Sequence, residues 1–330
     1  MDWGNIISNA LRAMIGLETI IYGLAAIGLN VHFGYAGLLN FGQAAFVALG
    51  AYGLAVTVTV LGLPFLLGVA VGLVAAVVLA LLLGIPTLRL RADYLAIATI
   101  ATAEIVRITV RGSSLREYTG GSTGLTGFSD GFYGLNPLPP GTYGFGPWRF
   151  SERLTWILVV GWLLVALSAL VVWALMRSPW GRVLKGIRED EDAVRSLGKN
   201  VYAYKMQALV IGGVIGALAG FVFALGRAAV QPDLYGTEFT FFAYTVLLLG
   251  GAARVLGPVV GAAIFWVVLS LTDNILNQMV RAGYMPDVIM TGTQVGQVRF
   301  MLVGVALMLL MIFRPQGIFG DKRELAINAR

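Results

Sequence analysis

Long apolar segments fill most of the 330-residue chain, and their lengths constrain its fold more than any other feature. A helix needs roughly 20 apolar residues to cross a bilayer. Strong candidates occupy residues 44–61, 63–83, 94–110, 155–176 and 206–226, with others at 14–29, 257–271 and 298–313. Only 12% of the residues are charged, whereas soluble domains carry about a quarter. The sequence therefore predicts an all-α integral membrane protein with about eight transmembrane helices, in a range of roughly eight to ten.

Two irregular segments interrupt the apolar pattern. Residues 32–43 (HFGYAGLLNFGQ) are rich in glycine, and Gly250 and Gly251 end a segment that is too short to span a bilayer. Such broken or re-entrant backbone is tolerated at membrane depth only where protein or a cavity surrounds it. A weak similarity between the two breaks is typical of internal repeats around the midplane path of a transporter. Gly250 and Gly251 are therefore candidates for a substrate path.

Asn40 and Gln43 place polar groups within the first break. Because they are three residues apart, they would share one face of a helix. One interpretation puts them on the substrate path. The other has them form hydrogen bonds between helices, which is a common use of Asn and Gln in membrane spans. The spacing leaves both interpretations open.

A charged segment at residues 177–205 separates two strong spans and contains seven Lys and Arg residues as well as the acidic run EDED. Its apolar residues are spaced so that residues 182–197 form two short helices, each with one apolar face. Gly198 then suits a helix C-cap, because glycine enters the left-handed region without a steric penalty. A short amphipathic helix pair between spans, rich in Lys and Arg, predicts a cytoplasmic docking element.

The distribution of Lys and Arg predicts the orientation of the chain in the membrane. Outside residues 177–205, the basic residues on the same side of the membrane are Arg89, Arg91, Arg254, Arg314, Lys322 and Arg323. Under the positive-inside rule that side is cytoplasmic. The long Gly- and Pro-rich loop at residues 111–153 is then extracytoplasmic. We expect a single transmembrane domain over residues 1–330, with residues 1–12 as a short polar lead.

The charged segment also resembles a known family. Asp192-Ala193-Val194, followed by Gly198, is similar to the coupling loop of ABC importer permeases, although Asp192 and Val194 replace the family's usual Glu and second Ala. The longer string GRVLKGIREDEDAVRSLG resembles the branched-chain amino-acid permease family, in particular its LivM-like subunit. The strings LNFGQAAFVALGAY, GGSTGLTG, LLLGGAARVLGPVVGA and RPQGIFG resemble the same family in the expected order.

This resemblance implies a permease subunit of an ATP-driven importer for branched-chain amino acids or related small solutes such as amides or urea. It implies two cytoplasmic ATP-binding subunits, a homologous second permease and an extracytoplasmic solute-binding protein, in a bacterial or archaeal plasma (inner) membrane. The residues expected to couple to the ATPases are Arg188, Glu191, Asp192, Ala193, Val194, Arg195 and Gly198. Arg188 and Arg195 flank the acidic run, where we expect exposed ion pairs.

Composition excludes several other functions. The chain has no G-x-x-x-x-G-K-[ST] string, so ATP must be hydrolysed on other subunits and the permease itself is not expected to be an enzyme. It has no cysteine and one histidine, His32, which excludes a multi-His metal site. We expect no cofactor. The net charge of +6 comes from basic loops that suit a membrane surface rather than nucleic acid, so lipid is the expected contact.

The alternative is an ion-coupled secondary transporter or channel without ATPase partners. Glu18, Glu104 and Asp273 lie in or near spans, where a carboxylate is a functional hypothesis by default. Arg107 follows Glu104 by three residues, so we expect a structural ion pair there. His32 is expected to be a loop or interface residue.

Overall fold

The computed structural model describes residues 2–89, 92–282, 294–313 and 317–320, and most of these are helical. The helices are α1 (Trp3–Ile15), α2 (Leu17–Leu29), α3 (Gln43–Thr59), α4 (Phe65–Thr87), α5 (Ala92–Arg111), α6 (Arg116–Thr119), α7 (Asp130–Tyr133), α8 (Glu152–Arg177), α9 (Pro179–Glu189), α10 (Glu191–Ser196), α11 (Val201–Arg227), α12 (Thr237–Gly250), α13 (Gly257–Arg281) and α14 (Val295–Phe313). The strands are β1 (Leu125–Thr126), β2 (Thr142–Tyr143), β3 (Phe150–Ser151) and β4 (Ala229–Val230).

Five helical segments among the described residues are long and apolar enough to cross a membrane. They are the segment Trp3–Tyr35, which contains α2, and the helices α4, α8, α11 and α13. Helices α3 and α12 are apolar but shorter, while α5 and α14 have 20 and 19 residues. The all-α membrane fold is confirmed, and the number of about eight spans stays a prediction.

The N-terminal residues form a helix of their own, so the prediction of a short polar lead over residues 1–12 is wrong. One face of α1 is buried through Ile6 and Ala10, and the helix packs against α13. Arg12 near its end donates a hydrogen bond to the carbonyl of Arg149 (3.3 Å). Thus α1 lies at the end of the molecule that carries residues 111–153, which we call the outer-loop end.

The prediction of a break over residues 32–43 is confirmed. Helix α2 passes into a π-helical turn (Asn30–Tyr35), and residues 37–42 have no regular structure before α3 begins at Gln43. Most residues of this break are buried in the protein. Its backbone is therefore shielded from lipid, as membrane structures require.

Small residues let α11 pack closely against α3. A methyl group at Gly213 would lie 2.5 Å from Cε1 of Phe46, and one at Gly220 would overlap the carbonyl of Val47. Close backbone approach is how membrane helices gain packing energy, since lipid offers little hydrophobic drive between them. The small-residue face of α11 is therefore used for close packing.

The long loop at residues 111–153 is anchored to the helices by short elements. β1 pairs with β4, with Leu125 opposite Val230, and β2 pairs with β3. The hydroxyl of Tyr133 donates a hydrogen bond to the carbonyl of Leu225 at the end of α11 (3.0 Å). This loop therefore covers one end of the helical core.

Two predicted loops are shorter than expected. Helix α4 continues through Pro86 to Thr87, so the connection between the predicted spans at 63–83 and 94–110 is shorter than those bounds imply. Helix α13 continues to Arg281, although the sequence turns polar at residue 272. Arg91, Arg314, Lys322 and Arg323, which were used to predict the orientation, lie outside the described residues.

Candidate functional site

Helices α9 and α10, here called the docking pair, are built from the charged segment. Pro179 suits the first turn of α9 because of its fixed φ and missing N–H. The carboxylate of Asp190 caps α10 by accepting from the N–H groups of Asp192 (3.0 Å) and Ala193 (2.9 Å). Gly198 then ends the pair at φ +76°. The prediction of two short helices followed by a left-handed glycine is confirmed.

The two helices of the docking pair use their apolar faces differently. Leu184 and Ile187 of α9 are buried against the helical core. Ala193 is exposed on α10, and Leu197, directly after it, is 79% exposed. Val194 is half-buried. The docking pair thus leaves the apolar side chains of Ala193 and Leu197 exposed among charged neighbours.

Ion pairs hold α10 in place. Arg195 contacts Glu191 and Asp192, both at 2.8 Å, within the helix. Glu191 also pairs with Lys205 of α11, whose side chain is only 14% exposed. The pairs within α10 are exposed and contribute about 0–1 kcal/mol each. The contact to the shielded Lys205 links α10 to a long membrane helix.

Helix α9 touches the π-helical turn directly. The guanidinium of Arg188 donates to the carbonyl of Gly34 (2.6 Å), and a methyl group at Gly37 would lie 3.3 Å from Cγ of Arg188. Lys185 lies 5.9 Å from the ring centroid of Tyr35, within cation–π range. Arg188 is half-buried, so the expectation that it is an exposed residue is wrong. Its hydrogen bond connects the docking pair to the first break.

Asn30 connects the first break to the second. Its amide donates to the carbonyl of Arg254 and accepts from the N–H of Ala253, both at 2.8 Å. The hydroxyl of Tyr244 on α12 donates to the carbonyl of Asn40 (2.9 Å). Two irregular segments that are more than 200 residues apart are therefore bound to each other through buried polar groups.

His32 is fully buried where the first break meets α11, so it is not an exposed loop residue. Its Nε2 lies 3.1 Å from the carbonyl of Leu209, and its Nδ1 lies 2.9 Å from Nδ2 of Asn40. A neutral ring that donates through Nε2 and accepts at Nδ1 satisfies both contacts. His32 thereby ties the first break to α11.

Asn40 and Gln43 are also fully buried. Asn40 precedes α3, so the two do not share a helix face as predicted. Oδ1 of Asn40 accepts from the N–H of Gly42 (2.8 Å), and Nε2 of Gln43 lies 3.4 Å from the carbonyl of Ala25 and 3.3 Å from that of Gly212. These contacts agree with hydrogen bonding between helices. A role on the substrate path stays a prediction.

Gly250 and Gly251 sit where backbones approach closely. A methyl group at Gly250 would overlap the carbonyl of Gly257, and one at Gly251 would lie 2.7 Å from the N of Gly320. Gly251 also has φ +106°, which few other residues adopt. Their small size is used for packing, and their place on a substrate path stays a prediction.

The carboxylates expected in or near spans all have arginine partners. The pairs are Glu18 with Arg227 (2.8 Å), Glu104 with Arg107 (2.9 Å) and Asp273 with Arg299 (3.0 Å). The structural pair expected for Glu104 and Arg107 is confirmed. Each of these three carboxylates therefore has a structural partner among the described residues.

The sequence predictions missed the contacts that join the docking pair to the membrane breaks. Asn30 was not singled out, although an Asn that ends an apolar span next to a Gly-rich segment is a signal for a buried hydrogen bond. The partner of Arg188 is a backbone carbonyl of Gly34, which no side-chain pattern reveals.

Comparisons with known proteins agree with this architecture. Residues 12–313 match the family model described as the branched-chain amino acid transport system / permease component. The chain is 32% identical over 314 residues to the high-affinity branched-chain amino acid transport system permease protein LivM of Escherichia coli, covering 92% of this chain and 69% of that protein.

More distant relatives are similar as well. A probable branched-chain amino acid transport permease protein LivM of Methanocaldococcus jannaschii is 26% identical over 348 residues, with 94% of each chain covered. The autoinducer 2 import system permease protein LsrC of Escherichia coli is 33% identical over 123 residues, which cover 36% of this chain and 34% of that protein.

Proposed function

Because the chain belongs to the family of branched-chain amino acid transport permeases, we propose that it forms the translocation path for a branched-chain amino acid or a related small solute. As a member of that family it is a permease subunit of an ABC importer and resides in the inner membrane. A second, homologous permease subunit completes the path. An extracytoplasmic binding protein delivers the solute, and two ATP-binding subunits drive its transport.

The exposed apolar surface of α10 is the observation that carries this proposal. Leu197 is 79% exposed although the rest of the docking pair is well ordered by caps and ion pairs. An ATP-binding subunit with an apolar groove would bury this side chain together with Ala193 and Val194. The proposal places residues 177–205 on the cytoplasmic side and residues 111–153 outside.

Hydrogen bonds offer a route from the docking pair to the transport path. Movement of α9 would pull on Gly34 through Arg188, and the π-helical turn would transmit that movement. Asn30 and His32 bind this turn to the second break and to α11. π-helical turns within helices are frequent at functional sites.

Uptake by the reconstituted complex tests the proposed function. The permease subunits and ATP-binding subunits are inserted into liposomes, the binding protein is added outside, and uptake of radiolabelled leucine is measured. We expect uptake that requires ATP on the cytoplasmic side and the binding protein on the other. Uptake by this chain alone, driven by an ion gradient, would contradict the proposal and support a secondary transporter.

A further inference from the structure

A cavity of about 690 Å³ opens at the outer-loop end between α2, α5, α11, α12 and α14. Small-molecule sites typically enclose about 300–1,000 Å³. Residues of opposite charge and a group of aromatic rings line this cavity. It lies at the end opposite to the docking pair, where a solute arriving from outside would first meet the helices.

The floor of the cavity is aromatic. Phe239 stacks on Tyr22 with ring centroids 4.7 Å apart, and Phe223 stacks on Phe239 at 5.9 Å. Phe242 stacks on Phe300 at 5.6 Å. Tyr22, Phe223 and Phe239 are buried and held by their neighbours, so they form a rigid apolar surface. Such a surface suits a branched aliphatic side chain.

Arg227 supplies a fixed positive charge at the wall. Its Nη2 donates to Glu18 (2.8 Å), and its guanidinium lies 4.7 Å from the ring centroid of Phe223. A guanidinium has five N–H donors in a planar fork, so a second carboxylate can be bound by the same group. The two existing contacts fix the plane of that fork before a ligand arrives.

Glu238 supplies a negative charge in the same cavity. It lies in the first turn of α12 and is exposed, and its carboxylate makes no hydrogen bond or ion pair with the described residues. The other charged groups of the cavity differ in this respect: Arg107 pairs with Glu104 (2.9 Å) and with Asp233 (3.1 Å). Glu238 is therefore available to a positively charged group of a ligand.

We propose that this cavity binds an apolar α-amino acid in its zwitterionic form. Arg227 binds the carboxylate, Glu238 binds the ammonium group, and the aromatic floor contacts the aliphatic side chain. The inference rests on the proposed function and selects among its solutes. Urea and simple amides carry no formal charge, so they would leave Glu238 without an ionic partner and would bring no carboxylate to the remaining donors of Arg227.

Equilibrium binding of leucine to the complex tests this site. The permease and ATP-binding subunits are purified together without the binding protein, and binding of radiolabelled leucine is measured alone and in competition with urea, acetamide and 4-methylpentanoate, which is leucine without its amino group. We expect saturable leucine binding that urea and acetamide do not displace. Glu238→Gln is expected to weaken leucine binding about ten- to a hundredfold, as for loss of a hydrogen bond between charged groups.

The des-amino analogue distinguishes loss of a direct contact between Glu238 and the ammonium group from a general disturbance of the cavity. Glu238→Gln should leave the affinity for 4-methylpentanoate unchanged, because that ligand has no ammonium group. Glu117→Gln, which changes an exposed carboxylate on α6 outside the cavity, should bind leucine as the unmodified chain does. Absence of saturable binding, equal displacement by urea, or an equal loss for leucine and its des-amino analogue would overturn the inference.

Leucine uptake measured on the same preparation shows whether a negative result contradicts the cavity assignment or the proposed function. ATP-dependent leucine uptake in liposomes with the binding protein, combined with no effect of Glu238→Gln on leucine binding, would overturn the cavity assignment alone. Failure of ATP-dependent uptake by the unmodified complex would overturn the proposed function, and the binding series would still decide whether the cavity holds a zwitterion.

Discussion

Replacing Arg188 tests the proposed route between ATP hydrolysis and transport most directly. In Arg188→Ala, the carbonyl of Gly34 loses its 2.6 Å contact with a charged donor. Gly34 is buried, so water cannot readily replace that donor. A hydrogen bond to a charged group contributes about 1.5–3 kcal/mol. If this contact transmits the movement of α9, its loss corresponds to roughly a ten- to hundredfold change in the coupling equilibrium, since 1.36 kcal/mol is tenfold.

The assay compares three quantities in the reconstituted complex: leucine uptake, ATP hydrolysis stimulated by the loaded binding protein, and co-purification of the ATP-binding subunits. Arg188→Ala should lower uptake per ATP hydrolysed while the subunits still co-purify, because the apolar surface of α10 is unchanged. Arg188→Lys keeps one charged donor and should recover part of the loss. Arg182→Ala, at an exposed position on the same helix, is the matched control.

Two results would refute this reasoning. Normal uptake per ATP in Arg188→Ala would show that the contact with Gly34 transmits nothing. Loss of the ATP-binding subunits on purification would show that Arg188 serves docking itself, and the route through the π-helical turn would lose its support.

Three further predictions concern orientation, docking and packing. Since the native chain has no cysteine, Ser122→Cys should be labelled only from outside and Ser196→Cys only from the cytoplasm by an impermeant thiol reagent. Gly198→Trp should insert normally but lose uptake and stimulated ATP hydrolysis together, because it strains a backbone at φ +76° and obstructs the docking surface. Gly213→Leu should lower the thermal unfolding temperature in detergent, since a side chain there meets Phe46 and overpacking costs about 1–3 kcal/mol.

The docking and packing predictions each have a matched control in the chain. Gly127 has φ +83° and no atom within 4 Å of an added Cβ, so Gly127→Trp imposes similar backbone strain on the long loop and should leave coupling intact. Gly296→Leu adds a side chain where no atom of the described residues lies within 4 Å and should leave the unfolding temperature unchanged. Labelling of Ser122→Cys from the cytoplasm only would reverse the proposed orientation. Normal leucine uptake and stimulated ATP hydrolysis in Gly198→Trp would contradict the proposed role of the docking pair in binding the ATP-binding subunits.

The sequence by itself determined the spans, the two breaks and the docking pair. These features depend on local physics: the length of an apolar run sets a span, a Gly-rich segment with Asn40 and Gln43 breaks it, and a left-handed glycine such as Gly198 ends a helix. None of them requires knowledge of which helices are neighbours.

Only the tertiary structure decided what the polar residues contact. The sequence did not reveal that His32 is buried, because its hydrogen-bond partners, Leu209 and Asn40, lie on different elements. The contact of Arg188 with Gly34 and the bridge from Asn30 to Ala253 join groups more than 150 residues apart. A buried polar group must find a partner, but its identity depends on which backbones approach closely. In this chain that approach is set by how the small residues of α11 and the two breaks pack together.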